Sequence, residues 1–174
     1  MSKIDYDLEL IRGIVFDVDG VLSPSCIPIG GDGMPQRMVN IKDGYAIQLA
    51  VKCGYKIAII TGADSQAVYD RFSGLGVKDI YMKAGVKINI LHEWMKSRGL
   101  KPEEVAYAGD DIPDYEVMRH VGLPVAPRDA AREIKETARY ISPCDGGYGV
   151  GRDLIEEIMR AQGHWMKDEK AFGW

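Results

Sequence analysis

Residues 11–23 read IRGIVFDVDGVLS, and this run decides the fold. Four of the six residues before Asp17 are apolar and mostly β-branched, the pattern of a strand buried on both faces of a sheet. The strand then leads directly into Asp17 and Asp19, separated by a single valine. Carboxylates are costly to bury without a partner. Either the strand ends at the surface at that point, or a positive group sits opposite.

Outward from this run, short apolar stretches alternate with segments of helical period. The pattern predicts strands over 11–16, 56–60, 80–82, 105–108 and 123–125, each bounded by Gly, Pro, Asp or Thr. It predicts helices over 44–52, 65–74, 88–97, 114–120, 130–137 and 152–161. Asp43, Asp64, Asp111 and Asp129 stand where an N-cap or first-turn acid belongs, and Gly54, Gly74 and Gly99 where a helix would stop. Strand–helix alternation of this kind predicts an α/β fold, a doubly wound parallel sheet with helices on both faces. The segment from Val21 to Ile41 is the exception. Rich in Gly and Pro and without helical period, it reads as two extended arms around the turn Gly30-Gly31-Asp32-Gly33, a β-hairpin flap.

A chain of 174 residues, 46% hydrophobic and 28% charged, matches one globular domain over 1–174. With 26 acidic against 22 basic residues the net charge is -4, and no run of Lys or Arg stands out. Nucleic acid and anionic membranes are therefore not expected partners. The acidic N-terminal stretch does not resemble a signal peptide, and no apolar run approaches the roughly 18 residues of a membrane span; the expected location is the cytoplasm. Cys26, Cys53 and Cys144 form no paired motif and read as small buried residues in a reducing compartment. The tail GHWMKDEKAFGW mixes aromatic and charged residues and is expected to dock, on this chain or on a neighbouring subunit.

In open parallel sheets, functional groups gather outside the carboxyl ends of the strands. Asp17 and Asp19 follow the first strand, Thr61-Gly62 the second, Lys87 opens the helix after the third, and Gly109-Asp110-Asp111 with Asp114 follow the fourth. Each alone has an ordinary explanation as turn, cap or solvated charge. Together they bring five carboxylates, one hydroxyl and one ammonium to one rim. Such a cluster repels itself unless a cation is bound, and oxygen ligands at this density suit Mg²⁺. A carboxylate nucleophile flanked by a metal and a lysine is equipment for phosphoryl transfer.

With these residues in order, the sequence resembles the haloacid dehalogenase superfamily of Mg²⁺-dependent phosphatases. The matching motifs are Asp17-Val18-Asp19-Gly20-Val21, Thr61, Lys87 and Gly109-Asp110-Asp111-Ile112-Pro113-Asp114. The resemblance implies that Asp17 is the nucleophile and a metal ligand. Asp19 would be the general acid and base, its carbonyl touching the metal. Thr61, Gly62 and Lys87 would hold the phosphoryl oxygens, Asp110 would bind Mg²⁺, and Asp111 and Asp114 would support the metal's waters and the lysine. Ser23 stands where the superfamily often has Thr.

Asp19 to Thr61 spans 42 positions and Thr61 to Lys87 spans 26, leaving no room for the cap domain that many superfamily members carry. The capless build, the flap, Val39-Asn40-Ile41-Lys42-Asp43-Gly44 and Gly146-Gly147-Tyr148-Gly149-Val150-Gly151-Arg152-Asp153 together resemble the 3-deoxy-manno-octulosonate 8-phosphate phosphatase family. That likeness implies hydrolysis of the phosphate ester of an eight-carbon keto-sugar acid made for lipopolysaccharide. It also implies a homotetramer in which a neighbouring subunit covers the active site. The loop before Lys87 is about two residues short of the family's usual length, and Gly151 and Asp153 replace its more common Val and Glu. Lys83 is the alternative to Lys87 as the phosphate contact. Arg71 reads either as a solvated helix residue or as the clamp for the sugar's carboxylate. The glycine-rich 146–151 segment reads either as a plain loop or as a segment reaching a neighbour's site. The competing functions are a nine-carbon keto-deoxy-nononate phosphatase or another sugar phosphatase, a protein phosphatase, and a non-catalytic phosphatase-like module.

Overall fold

A computed structural model describes residues 2–174. Among them six strands, β1 (Gly13–Phe16), β2 (Lys56–Ile60), β3 (Asp79–Tyr81), β4 (Val105–Ala108), β5 (Leu123–Ala126) and β6 (Tyr140–Ile141), form one sheet in the order β3-β2-β1-β4-β5-β6. Every pairing is parallel. The helices are α1 (Ile41–Lys52), α2 (Gln66–Gly74), α3 (Lys87–Arg98), α4 (Tyr115–Met118), α5 (Arg132–Thr137) and α6 (Val150–Ala161). Because β1 has β2 on one side and β4 on the other, chain direction across the sheet reverses there. A crevice opens at the carboxyl ends of β1 and β4.

Alternate strand residues feed two cores. Ile14, Phe16, Ile57, Ile59, Leu123 and Val125 pack with Ala46, Ile47, Leu154 and Ile158 of α1 and α6 on one face. Val15, Ala58, Ile60 and Tyr107 pack with Leu91, Trp94, Met118 and Ile134 of α3, α4 and α5 on the other. Strands covered on both sides leave little freedom in β1, whose four residues are all buried. The sheet therefore gives the residue after Phe16 a fixed starting point.

Several boundaries differ from the sequence reading, each for a local reason. β1 starts at Gly13 because Ile11 donates its N–H to the Leu8 carbonyl, closing a 3₁₀ turn over Leu8–Leu10. The side chain of Asn40 caps α1 by accepting from the Lys42 and Asp43 amides, which starts that helix three residues early. Ser65, not Asp64, caps α2, and the left-handed residue that follows this helix is Gly76 (φ +92°), not Gly74. Pro113 sits in a 3₁₀ turn, Ile112–Asp114, so the helix expected at 114–120 is a turn followed by the short α4. Asp129 does not cap α5; its carboxylate accepts the Gly146 amide at 2.9 Å. The two-residue β6 was not anticipated. Cys26 is exposed and Cys53 and Cys144 are half-buried, so the expectation of three buried cysteines holds for none of them fully.

The flap is a hairpin in outline. Its arms meet in one antiparallel bridge, Ile29 with Pro35, around a turn closed by Gly33 N–H donating to the Gly30 carbonyl at 2.9 Å. The C-terminal tail docks on its own chain: Trp165 and Ala171 are buried, the Tyr45 hydroxyl donates to the Ala171 carbonyl, and Arg152 lies 4.6 Å from the Trp165 ring. The glycine-rich segment also packs inward. Gly147 donates to the Val21 carbonyl at 2.8 Å, and a Cβ on Gly146 would run into the Gly20 backbone. This segment buttresses the turn after Asp17–Asp19. Asp153 accepts from Tyr140 (2.9 Å) and Ser142 (2.7 Å), which ties α6 to the β6 edge.

Candidate active site

β1 delivers Asp17 into the crevice, and its N–H extends the ladder to the Ala108 carbonyl at 3.1 Å. The chain then turns sharply. The amides of Val21, Leu22 and Ser23 all point at the Val18 carbonyl, and Gly20 adopts φ +80°, where any Cβ would collide with the Asp110 carboxylate. Only glycine lets the loops after β1 and β4 approach so closely.

Three carboxylates meet there. Asp17, Asp110 and Asp114 each offer an oxygen within 4.8 Å of the others. The Lys87 ammonium lies 3.0 Å from Asp17 Oδ2 and 2.7 Å from Asp114 Oδ1. All three of these paired residues are buried. Asp114 is the most heavily engaged of the three: Oδ1 also accepts the Tyr107 hydroxyl at 2.7 Å, and Oδ2 accepts the Asp110 amide at 3.0 Å. That leaves Asp114 as the brace for the lysine and for the Asp110 backbone. Asp17 Oδ1 accepts the Val18 amide at 2.7 Å, so each Asp17 oxygen has one partner and retains a further lone pair.

Electrostatics report a shortage of positive charge. Burial first, then the neighbouring Asp114 charge, pushes the Asp17 carboxyl up to about 7 against the pull of Lys87. Burial, then Asp114, Asp17 and Asp111, pushes Asp110 up to about 8. Burial alone would lower the Lys87 pKa, but Asp17 and Asp114 together raise it. One ammonium does not neutralise this group of acids, and a hard divalent cation held by oxygen does. The donor set fits Mg²⁺, with Asp17 and Asp110 as the carboxylates least occupied by other partners among the described residues.

The surrounding cleft, about 480 Å³, is lined by Asp17, Asp19, Thr61, Gly62, Lys87, Asp110, Asp111 and Asp114 among others. Thr61 is buried, and its Oγ1 accepts the Ala63 amide at 3.1 Å. The sites named from sequence after β1, β2, β4 and at the start of α3 thus come together. Two other candidates lie elsewhere. Lys83 pairs with Asp64 at 2.9 Å, and its side chain is 69% exposed. Arg71 borders a neighbouring cavity of about 430 Å³ between the flap and α2, and its buried Nη2 has no hydrogen-bond partner among the described residues.

Sequence reasoning missed two polar residues. Tyr107 reads as an apolar strand residue, yet its hydroxyl braces Asp114. Arg37 sits in the aperiodic flap and forks onto Asp19, Nε to Oδ1 and Nη2 to Oδ2, both at 2.9 Å. The one available signal was a lone arginine on the flap's returning arm.

The model of haloacid dehalogenase-like hydrolases matches residues 72–154. The 3-deoxy-D-manno-octulosonate 8-phosphate phosphatase KdsC of Escherichia coli K12 is 37% identical over 155 residues, covering 89% of this chain and 82% of the relative. Among solved structures, that phosphatase from Yersinia pestis superposes with a TM-score of 0.87 at 35% identity, over 91% of this chain and 85% of the other. The Moraxella catarrhalis enzyme, solved with a magnesium ion, a phosphate ion and a KDO molecule, gives 0.86 at 30% identity, over 90% of each chain. Likeness of this extent, 37% identity over 89% of the chain, means that the chain belongs to the 3-deoxy-D-manno-octulosonate 8-phosphate phosphatase family of haloacid dehalogenase-like hydrolases.

Proposed function

We propose that the protein is a Mg²⁺-dependent phosphatase acting on the phosphomonoester of a small keto-sugar acid, with 3-deoxy-D-manno-octulosonate 8-phosphate as its substrate. The observation that carries this reading is the buried Lys87 ammonium bridging Asp17 and Asp114 beside Asp110. A carboxylate nucleophile would otherwise repel a phosphate dianion, and a lysine fixed at 3.0 Å offsets that repulsion.

An Asp17 oxygen attacks phosphorus. The bond to the sugar oxygen breaks, Asp19 gives that oxygen its proton, and an aspartyl-phosphate remains on Asp17. Water then attacks the same phosphorus, Asp19 takes its proton, and the Asp17–phosphorus bond breaks to release phosphate. Thr61, Gly62 and Lys87 hold the phosphoryl oxygens. Asp17, Asp110 and the Asp19 carbonyl would hold Mg²⁺, which would offset charge on the transferring group. Asp111 and Asp114 support this arrangement from behind. Arg71 is the candidate for the sugar's carboxylate, since the residue borders the flap cavity and its Nη2, buried against Gly44, has no hydrogen-bond partner among the described residues.

The test is phosphate release from eight- and nine-carbon keto-acid phosphates against hexose phosphates, with the eight-carbon ester expected to give the highest kcat/KM. A hexose phosphate turned over at an equal rate would defeat the substrate assignment.

The assembly belongs to the same proposal. The cleft is open in the single chain, and Ile29, Met38, Val39 and Ile41 leave apolar surface exposed on and beside the flap. Covering them with a second copy closes the cleft and removes water from it. Light scattering is expected to give four times the chain mass, and a monomer would refute this. No helix among the described residues is long and apolar enough to cross a membrane, and the proposed place of action is the cytoplasm.

A further inference from the structure

The Asp19 carboxylate lines the cleft, and its side chain is 42% exposed. Among the described residues its side-chain partner is Arg37. A half-exposed aspartate without a partner samples several rotamers, whereas proton transfer requires one carboxylate oxygen within about 3 Å of the reacting oxygen. The fork from Arg37 removes that freedom. It engages both oxygens at 2.9 Å, and the Arg37 side chain is only 11% exposed. Pairs with an exposed partner contribute little to stability. The consequence of this one is orientation.

Arg37 is itself held by the flap's connection to the catalytic turn. The next residue, Met38, donates its N–H to Ser23 Oγ at 3.0 Å. Ser23 is wholly buried, and its carbonyl accepts the Gly20 amide at 2.8 Å. Two adjacent flap residues therefore grip the turn that carries Asp19, one by backbone and one by side chain. Arg37 also forms part of the wall of the flap cavity, so displacing the flap's returning arm would withdraw the guanidinium from Asp19.

We propose that Arg37 is a positioning residue whose fork aligns the Asp19 carboxylate over the cleft, making alignment of the proton-transfer group conditional on docking of the flap's returning arm. The inference rests on the phosphatase reading, in which Asp19 protonates the leaving oxygen. It deepens that reading by assigning the flap a part in the chemistry.

The test uses the full-length chain with Mg²⁺ and two esters, a primary alkyl phosphate and p-nitrophenyl phosphate. An alkoxide must be protonated as it leaves; nitrophenolate leaves unaided. The readout is kcat/KM, which covers only the steps up to departure of the leaving group and so excludes hydrolysis of the aspartyl-phosphate. General acids contribute about 10²–10⁴-fold, so Arg37→Met is expected to lower kcat/KM for the alkyl ester about 10–100-fold and for the nitrophenyl ester less than about 3-fold. Arg37→Lys keeps the charge without the fork and is expected to show the same selective loss in weaker form, which covers the case in which Arg37→Met does not fold. In an Asp19→Asn background, Arg37→Met should produce no further loss. Equal losses on both esters would mark Arg37 as merely structural and overturn the inference, as would no loss on either. If the unsubstituted chain hydrolyses neither ester nor any sugar phosphate, the phosphatase reading fails and takes the inference with it.

Discussion

Asp17→Asn is expected to lower phosphatase turnover by about 10⁴-fold or more while the protein remains folded. The amide is nearly isosteric. Its oxygen can still accept the Val18 amide that Asp17 Oδ1 now takes at 2.7 Å, and Lys87 keeps Asp114 at 2.7 Å. What disappears is a nucleophile able to form an acyl phosphate, together with one charged oxygen for the cation. The fold is expected to tolerate the change because burial and the adjacent Asp114 already hold the Asp17 carboxyl at about 7, well above its ordinary value. Removing a charge that the structure disfavours does not weaken the metal-free state. Phosphate release measured beside a thermal melt decides the matter, and a variant that retained more than about a tenth of the parent rate would remove Asp17 from the nucleophile's role.

The parts of this site that the sequence revealed are those that a parallel sheet exposes in one dimension. Strands buried on both faces appear as unbroken apolar runs, so β2 and β4 can be read to the residue from Lys56–Ile60 and Val105–Ala108. The first polar residues after them must then stand at the rim, which is why Thr61 and Asp110 are legible without coordinates. Arg37 is illegible for the opposite reason. It lies in a segment without period, 18 positions from Asp19, and only the tertiary path of the flap brings the two together. Tyr107 is hidden because a strand tyrosine reads as apolar bulk, and its hydroxyl matters only once Asp114 has folded back over it. The 3₁₀ turn at Ile112–Asp114 shows the same limit at a boundary: an acid-rich helix start and a proline-led turn look alike until the Asp114 N–H is seen donating to the Asp111 carbonyl. The tail's docking on its own α1 and α6, through Tyr45 and Arg152, depends on pairings that sequence order does not reveal, Tyr45 with Ala171 more than a hundred positions apart and Arg152 with Trp165 beyond the end of α6.

Removing Mg²⁺ is expected to abolish turnover and to reverse how stability responds to pH. In the metal-free protein the Asp17 and Asp110 carboxyls stand at about 7 and about 8, whereas in the unfolded chain they return to about 3.9. Between about pH 4 and pH 8 the folded state therefore holds protons that the unfolded state has released, and stability must fall as pH rises through that window. The chelated protein is expected to melt at a lower temperature near pH 8.5 than near pH 5.5 (about three units apart). Mg²⁺ binds the deprotonated carboxylates, so it stabilises the folded state most above about pH 8 and little near pH 5. Melting curves with and without Mg²⁺ should converge on the acid side and separate on the alkaline side. Phosphate release should drop to background with chelator and return on adding Mg²⁺ back. A chelated protein that grew more stable as pH rose across this window would show that Asp17 and Asp110 are not crowded by each other and by Asp114. An undiminished rate under chelation would show that their crowding serves something other than a cation.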